Sequence, residues 1–180
     1  PLLANLGKPA DASDAVERGA EGVGLFRTEF LFLSSAQAPT VEQQRESYRD
    51  LLAAFPGQKV VVRMLDAGAD KPLAFLNDAH EENPALGLRG LRALRASEDI
   101  LREQLTALAE ASAATEADLW VMAPMVATVE ETEYFTALAR EYGLKTAGVM
   151  VEIPSSALLA DRILAHADFA SIGTNDLTQY

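Results

Sequence analysis

The sequence predicts an α/β fold built around a mostly parallel sheet. Six short apolar runs recur along the chain, and segments with helical signals separate most of them, which is the pattern of repeated βα units. The chain has 180 residues, of which 49% are hydrophobic, so it carries enough apolar material for one domain with a sizeable core. We predict six strands, at residues 2–4, 23–26, 60–62, 119–122, 148–151 and 169–172.

Helix start signals lie between these runs. Thr40 with Gln43, and Thr128 with Glu131, have the spacing of capping boxes, in which each side chain bonds to the backbone of the other residue. Asp11 is predicted to cap a short helix through residue 16. These signals place a helix after the first, second and fourth predicted strands.

Two other stretches of the chain give different predictions, a helix after Ser97 and a long loop before it. Ser97 is followed by two acidic residues, which favour a helix N-terminus, and leucines then recur at helical spacing. The span 66–96 is rich in turn residues and has little periodicity, so we predict a long loop there. A loop of that length in a compact domain is usually functional, and the alternative is that the span contains an element that its pattern does not show.

The charge balance excludes several classes of function. Lys and Arg number 15 against 27 Asp and Glu, a net charge of −12, so long-range attraction to nucleic acid or to an anionic membrane has the wrong sign. The chain has no cysteine, which excludes thiolate chemistry within it and fits a reducing compartment. The apolar stretch 119–127 is too short to span a bilayer. Because the chain starts at Pro1 and stops within a polar run, we expect a segment of a longer protein.

Charged or amide side chains follow four of the predicted strands. Arg27, Arg63 and Glu152 come directly after three of the apolar runs, and Asn175 and Asp176 follow the last one. In parallel α/β folds, ligands bind at the carboxyl ends of the strands. We therefore expect these side chains to converge on one site.

The residue types at these strand ends suit a particular ligand. Arginine binds carboxylate or phosphate through a planar fork, and an Asp–Glu pair suits Mg²⁺, which takes few protein carboxylates together with substrate oxygens and water. A small phosphorylated carboxylate with Mg²⁺ would satisfy both. The alternative is that these charges are solvated or pair with each other, Arg27 with Glu29 for example. That alternative is the commoner one for a single residue, and four strand ends together favour a site.

Other charged residues give weaker signals from spacing alone. Arg89, Arg92 and Arg95 would share one helix face, which is typical of a solvated or ion-paired surface. Lys71, beside Asp70, would ordinarily form a loop salt bridge.

Five motifs occur in an order and spacing that is specific to one family. They are GVGLFRTEFL at 22–31, VRMLD at 62–66 with DKP at 70–72, ENP at 82–84 with LG at 86–87 and Arg89, VMVEIP at 149–154, and SIGTNDLTQY at 171–180. This set resembles the phosphoenolpyruvate-utilising enzymes, and most closely the phosphoenolpyruvate-binding barrel of enzyme I of the bacterial sugar phosphotransferase system, alone or within a fused multiphosphoryl transfer protein. The resemblance runs over essentially the whole chain.

The resemblance implies an incomplete (β/α)₈ TIM-type barrel, with about six of the eight strands in residues 1–180. The last two strands, which carry a further arginine and a cysteine in the family, and the phosphohistidine domain would lie outside this segment. The family pattern departs at Ala69, where a second glycine is usual before Asp70, and this affects the geometry expected of that loop.

The resemblance also assigns roles to residues of this chain. Phosphoenolpyruvate would contact five of them, namely Arg27, Arg63, Lys71, Arg89 and Asn175. Glu152 and Asp176 would bind Mg²⁺ as the cofactor. No catalytic residue is assigned within the segment, which we expect to be unable to complete turnover alone.

The implied activity is that of a phosphoenolpyruvate–protein phosphotransferase, a transferase of sugar uptake. The phosphoryl group would pass to a histidine on the protein's own N-terminal domain and then to a small histidine-containing phosphocarrier protein. A cytoplasmic homodimer is implied, with no nucleic acid partner and no membrane insertion.

Three alternatives remain open. A pyruvate phosphate dikinase or phosphoenolpyruvate synthase shares the barrel. A Mg²⁺-dependent aldolase or lyase would use the two carboxylates without needing two strand-end arginines. A non-catalytic dimerisation module would keep the barrel sequence without the chemistry.

Overall fold

The computed structural model describes residues 1–33, 37–66, 73, 75–76, 81–83 and 86–180. Six parallel strands lie side by side in chain order and curl into an incomplete α/β barrel, which confirms the predicted fold. The strands are β1 (Ala4–Leu6), β2 (Gly22–Arg27), β3 (Lys59–Arg63), β4 (Asp118–Ala123), β5 (Thr146–Val151) and β6 (Ala170–Ile172).

The first strand begins two residues later than predicted. Leu2 is 68% exposed, whereas Leu6 is buried, so the apolar residue that anchors the strand lies at its far end. The polar Asn5 belongs to the strand because it faces the cavity described below. A pattern of apolar residues alone places the strand too early.

Helices and short turns connect the strands. They are a 3₁₀ turn (Pro9–Asp11), α1 (Ala12–Glu17), α2 (Glu29–Leu33), α3 (Val41–Ala53), α4 (Gly90–Ala96), α5 (Glu98–Ala113), α6 (Val129–Glu141), α7 (Pro154–Leu158), α8 (Ala160–Ile163) and α9 (Thr174–Leu177). No helix in the described ranges is long and apolar enough to cross a membrane.

The two predicted capping boxes are confirmed. The Gln43 amide donates to Thr40 Oγ1 over 3.2 Å, and the Glu131 amide donates to Thr128 Oγ1 over 3.1 Å. Ser97 precedes α5, as predicted, but its side chain accepts no hydrogen bond from the helix. The side chain of Asp11 likewise makes no cap bond at α1.

The predicted loop at 66–96 contains a helix at its end, because α4 occupies Gly90–Ala96. Gly90 has a φ of +59°, and a Cβ there would lie 2.5 Å from the Cβ of Met125. The backbone at residue 90 can therefore lie this close to Met125, with a positive φ, only because glycine has no side chain. The motif residues Ala69, Asp70 and Lys71 lie outside the described residues.

The sheet packs on both of its faces. Val60 and Val62 belong to a large apolar cluster that includes α3 and α5, whereas Val61 packs with Met122 and Met150 on the opposite face. This alternation is expected of strands buried on both sides. The strand ends are thereby fixed in register, with Arg27 of β2 beside Arg63 of β3.

Candidate functional site

A cavity of about 760 Å³ opens at the carboxyl ends of the strands. It is lined by all six of the predicted site residues that the structure describes, namely Arg27, Arg63, Arg89, Glu152, Asn175 and Asp176. The strand-end argument therefore predicted a real convergence of side chains. Lys71, the seventh predicted residue, lies outside the described part of the chain.

Arg63 is held in the cavity by two carboxylates. Its Nη2 lies 2.8 Å from Glu29 Oε1 and 3.9 Å from Asp66 Oδ2. The alternative of mutually paired charges gave Arg27 as an example of a partner for Glu29, and Glu29 pairs with Arg63 instead. Burial lowers the pKa of Arg63, but Glu29 and Asp66 outweigh this effect and leave the pKa raised. The guanidinium is therefore charged at every working pH.

Arg89 lies in the cavity and not on a solvated helix face, which corrects the prediction from its spacing. It precedes α4 in an extended conformation, with φ −142° and ψ 169°, so the helical spacing does not apply to it. Its Nη2 lies 3.2 Å from Asp66 Oδ2 and its Nη1 lies 3.4 Å from Asp176 Oδ1. Arg95 instead faces outward, 3.1 Å from Glu130.

Arg27 differs from the other two arginines of the cavity. No carboxylate of a described residue lies within 4 Å of its guanidinium, which lies 5.8 Å from the centre of the Phe30 ring. Its Nε, like those of Arg63 and Arg89, is buried without a hydrogen-bond partner among the described groups. A buried donor of this kind favours an anionic ligand, because the ligand would satisfy both its charge and its hydrogen bond.

Glu152 follows β5 directly and is 1% exposed. Its Oε1 accepts the Met125 amide over 2.8 Å, and Met125 adopts a φ of +53° there. Burial, followed by the nearby carboxylates of Asp66 and Asp176, raises the pKa of Glu152 to about 7, although the Met125 amide and Arg63 oppose the shift. Removal of this carboxylate from water is therefore the main cause of the raised pKa.

The carboxylates of Glu152 and Asp176 fit a divalent cation that prefers oxygen ligands. The second oxygen of Glu152, Oε2, lies 2.6 Å from where a Cβ on Gly173 would be, so glycine leaves the space beside it open. Within the described ranges, no three His, Cys, Asp or Glu side chains form a metal-binding group. Two carboxylates suit Mg²⁺, which keeps water or substrate oxygens in its other positions.

The charges of the cavity nearly balance. Among the residues that the structure describes, three guanidinium groups, of Arg27, Arg63 and Arg89, face four carboxyl groups, of Glu29, Asp66, Glu152 and Asp176, which leaves one negative charge in excess when all four are ionised. A divalent cation would reverse that sign and allow an anion to enter. The cavity can therefore bind an anion and a cation together.

Glu29 and the Met125 amide were not predicted as parts of the site. Glu29 lies in the motif at 22–31, but its partner Arg63 is 34 residues away. Met125 acts through its backbone, for which a sequence carries no residue-type signal. Asp66 ends the motif at 62–66, and the structure shows that it lies between Arg63 and Arg89.

Comparisons with known proteins agree with this arrangement. The family model described as "PEP-utilising enzyme, PEP-binding domain" matches residues 1–180. A phosphoenolpyruvate-protein phosphotransferase of Streptomyces coelicolor is 59% identical over 182 residues, which cover all of this chain and 33% of that protein. Proteins of the same name from Haloferax volcanii and Staphylococcus aureus are each 47% identical, over 99% of this chain and 34% and 33% of their own lengths.

The chain thus spans about a third of the length of these relatives. Its match to the family model covers every residue, and its identity to the relatives is well above the level at which a common fold is secure. The chain belongs to the family of PEP-utilising enzymes, as a PEP-binding domain.

Proposed function

We propose that this domain binds phosphoenolpyruvate together with Mg²⁺, within a phosphoenolpyruvate–protein phosphotransferase. One observation carries the proposal, namely that three arginines and the carboxylates of Glu152 and Asp176 line a single cavity at the carboxyl ends of the strands. The names of the relatives support it, since all of those compared are phosphoenolpyruvate-protein phosphotransferases.

The arginines suit the two anionic groups of the substrate. Arg27 lacks a carboxylate partner among the described residues, so a phosphate would supply the missing charge. Arg63 is oriented by Glu29 and presents the rest of its guanidinium to the cavity, where the substrate carboxylate or phosphate would bind. Arg89 and Asn175 would add further donors. Lys71 is proposed as a supporting contact on the resemblance alone.

Mg²⁺ would be held by Glu152 and Asp176, and it would neutralise charge on the phosphoryl oxygens and the developing enolate. The chain's own part is to position the substrate by its arginines and to supply fixed positive charge. The phosphorus–oxygen bond of phosphoenolpyruvate would break as a phosphorus–nitrogen bond forms on a histidine of another domain. The enolate then takes up a proton and leaves as pyruvate.

The test is to incubate the full-length protein with ³²P-labelled phosphoenolpyruvate and Mg²⁺. We expect acid-labile label on the protein, release of pyruvate, and transfer of the label to a small phosphocarrier protein. Glu152→Gln and Asp176→Asn should each abolish the Mg²⁺-dependent labelling. Arg95→Gln, on the outer surface, is the matched control and should leave the labelling unchanged.

Other outcomes would select the alternatives. Labelling from ATP would assign the protein to the dikinase or synthase branch. Absence of label from both donors, with Mg²⁺-dependent cleavage or condensation at a pyruvate enolate, would assign it to the lyases. Full function in Glu152→Gln would favour a non-catalytic module.

We also propose a cytoplasmic homodimer for the full-length protein, with transfer to a phosphocarrier of sugar uptake. This part rests on the family resemblance. Light scattering of the purified protein tests the dimer, since a mass equal to one chain would contradict it.

A further inference from the structure

We propose that Gln104, on the helix side of the sheet, is a positioning residue for the cavity. It fixes the backbone that follows β3 and so holds the Asp66 carboxylate between Arg63 and Arg89. The role in substrate binding rests on the proposed function, whereas the anchoring of the backbone can be tested without it.

Three successive amides after Arg63 are each anchored to a different part of the domain. The Met64 amide donates to the carbonyl of Met122 in β4 over 2.8 Å. The Leu65 amide donates to Gln104 Oε1 in α5 over 3.0 Å, and the Asp66 amide donates to Glu29 Oε1 over 3.2 Å. The segment is thus tied to the sheet, to an outer helix and to the cavity in turn. Gln104 is the anchor on the side away from the ligand.

Gln104 is itself oriented by a buried chain of hydrogen bonds. Its Nε2 donates to Tyr48 Oη over 3.0 Å, and the Tyr48 hydroxyl donates to Gln44 Oε1 over 3.2 Å. Gln44 Nε2 then donates to the carbonyl of Pro39 over 3.1 Å. Gln44, Tyr48 and Gln104 are each at most 1% exposed.

The direction of donation along this chain is fixed at both ends. Pro39 offers only a carbonyl oxygen, so Gln44 must present its nitrogen there and its oxygen to Tyr48. Leu65 offers only an amide hydrogen, so Gln104 must present its oxygen there. Every amide orientation is therefore determined, and the acceptor for Leu65 is held in one place.

Packing alone does not require these polar groups. The buried part of the interface between α3 and α5 is otherwise apolar, since the Arg45–Glu110 pair lies at its exposed edge, and an apolar side chain in place of Gln104 would leave the Leu65 amide without its acceptor. This row of hydrogen bonds ends at the Leu65 amide, which is adjacent to Asp66 in the sequence. We infer that these hydrogen bonds fix the position of the backbone at residues 65 and 66.

The position of Asp66 decides the geometry of two arginines. Its Oδ2 lies 3.2 Å from Arg89 Nη2 and 3.9 Å from Arg63 Nη2, and its Oδ1 is buried without a partner among the described groups. A shift of this carboxylate would release Arg89 towards Asp176 and change both guanidinium positions. Errors of about 1 Å at such groups weaken binding and rate severely.

The experiment is a double-mutant cycle in the full-length protein. The KM for phosphoenolpyruvate and the kcat for pyruvate release are measured for the wild type, Gln104→Met, Asp66→Asn and the double variant. Gln104→Met should raise KM about fivefold with little change in kcat, a size that is usual for coupled neighbours. In the Asp66→Asn background the same substitution should raise KM less than twofold.

Leu108→Ala is the matched control, because Leu108 is fully buried in the same helix but outside the chain of hydrogen bonds. It should destabilise the domain without changing KM. A similar rise of KM in Leu108→Ala, or an equal effect of Gln104→Met in both backgrounds, would overturn the proposal. Tyr48→Phe, which keeps the bond to Leu65 but frees the amide of Gln104, should give a smaller rise and serves if Gln104→Met does not fold.

Amide hydrogen exchange of the ligand-free protein separates this inference from the proposed function. Gln104→Met should speed exchange at residues 65 and 66 selectively, whereas Leu108→Ala should speed it along α5. Unchanged exchange at residues 65 and 66 would contradict the anchoring role. If the wild type does not use phosphoenolpyruvate, the proposed function fails, and the exchange result still decides whether Gln104 anchors this segment.

Discussion

The carboxylate of Glu29 holds the guanidinium of Arg63 across two neighbouring strand ends, with Oε1 2.8 Å from Nη2. The two side chains are only 3% and 12% exposed, so water screens the pair weakly. The same oxygen accepts the Asp66 amide over 3.2 Å. One carboxylate thus joins the start of α2 to the end of β3 and to the backbone beyond it.

Loss of this carboxylate should destabilise the domain. Glu29→Ala removes the nearer of the two carboxylates beside the buried Arg63 guanidinium and leaves Asp66 at 3.9 Å, and loss of one partner of a buried ion pair costs about 3–5 kcal/mol. Glu29→Gln keeps an acceptor for the Asp66 amide and should cost less than Glu29→Ala. Urea unfolding of the full-length protein, with hydrogen exchange to assign the transition to this domain, measures both losses.

The control for this prediction is an exposed ion pair. Arg18 and Asp14 lie 2.8 Å apart, but their side chains are 77% and 63% exposed. Asp14→Ala should therefore change stability by less than about 1 kcal/mol. Equal losses in Asp14→Ala and Glu29→Ala would show that burial does not govern the Glu29–Arg63 pair.

Gly173 is expected to be required for cation binding beside Glu152. A Cβ at this position would lie 2.6 Å from both the Cβ and Oε2 of Glu152, although the backbone itself is relaxed for any residue. Gly173→Ala should raise the Mg²⁺ concentration needed for half-maximal phosphoenolpyruvate binding by about tenfold or more, equivalent to about 1.4 kcal/mol. Isothermal titration at several Mg²⁺ concentrations measures this requirement.

Gly19→Ala is the control variant, because it separates the local effect of a Cβ beside Glu152 from the effect of replacing a glycine elsewhere. Gly19 has a φ of +88° and no atom within 4 Å of an added Cβ, so alanine there introduces backbone strain far from the cavity. It should lower stability and leave the Mg²⁺ requirement unchanged. The same Mg²⁺ requirement in Gly173→Ala and wild type would contradict the assignment of Glu152 as a cation ligand.

Helix capping gives a prediction that needs no ligand. Thr128 accepts the Glu131 amide, and the Glu131 carboxylate in return accepts the Thr128 amide over 3.3 Å. Thr128→Ala should cost about 1 kcal/mol, as measured by unfolding or by exchange along α6. Ser97→Ala should cost a few tenths at most, because Ser97 makes no cap bond. A larger loss for Ser97→Ala would contradict the observed difference between the two helix starts.

The strands and their charged ends could be predicted because both depend on local sequence. Arg27, Arg63 and Glu152 each follow an apolar run directly, and the parallel arrangement brings all such ends to one edge. Asp176 follows the last apolar run closely, and the family motifs then located Arg89. Residue type and position along the chain were enough for these side chains.

The pairing between these residues could not be predicted in the same way. Glu29 lies two positions from Arg27, yet it binds Arg63, because strand register and the turn into α2 decide which guanidinium it meets. Arg89 has helical spacing with Arg92 and Arg95 but adopts an extended backbone before α4. Tertiary geometry outweighed local pattern at both positions, and both are in the cavity.

Tyr48 provides a prediction about pH. Complete burial raises the pKa of its hydroxyl far above the usual 10, while the hydrogen bond with Gln104 opposes the shift and nearby Glu29 adds to it. In the unfolded chain this hydroxyl ionises near pH 10, so the unfolded state loses a proton that the folded state keeps. Stability from Tyr48 is therefore intact below about pH 10 and falls above it, by up to about 1.4 kcal/mol per pH unit.

Urea unfolding at pH 8 and pH 11 should show this loss in the wild type and a smaller loss in Tyr48→Phe. Absorbance at the tyrosinate band should be equal for the two folded proteins at pH 11, and an excess in the wild type would mean that Tyr48 ionises in place.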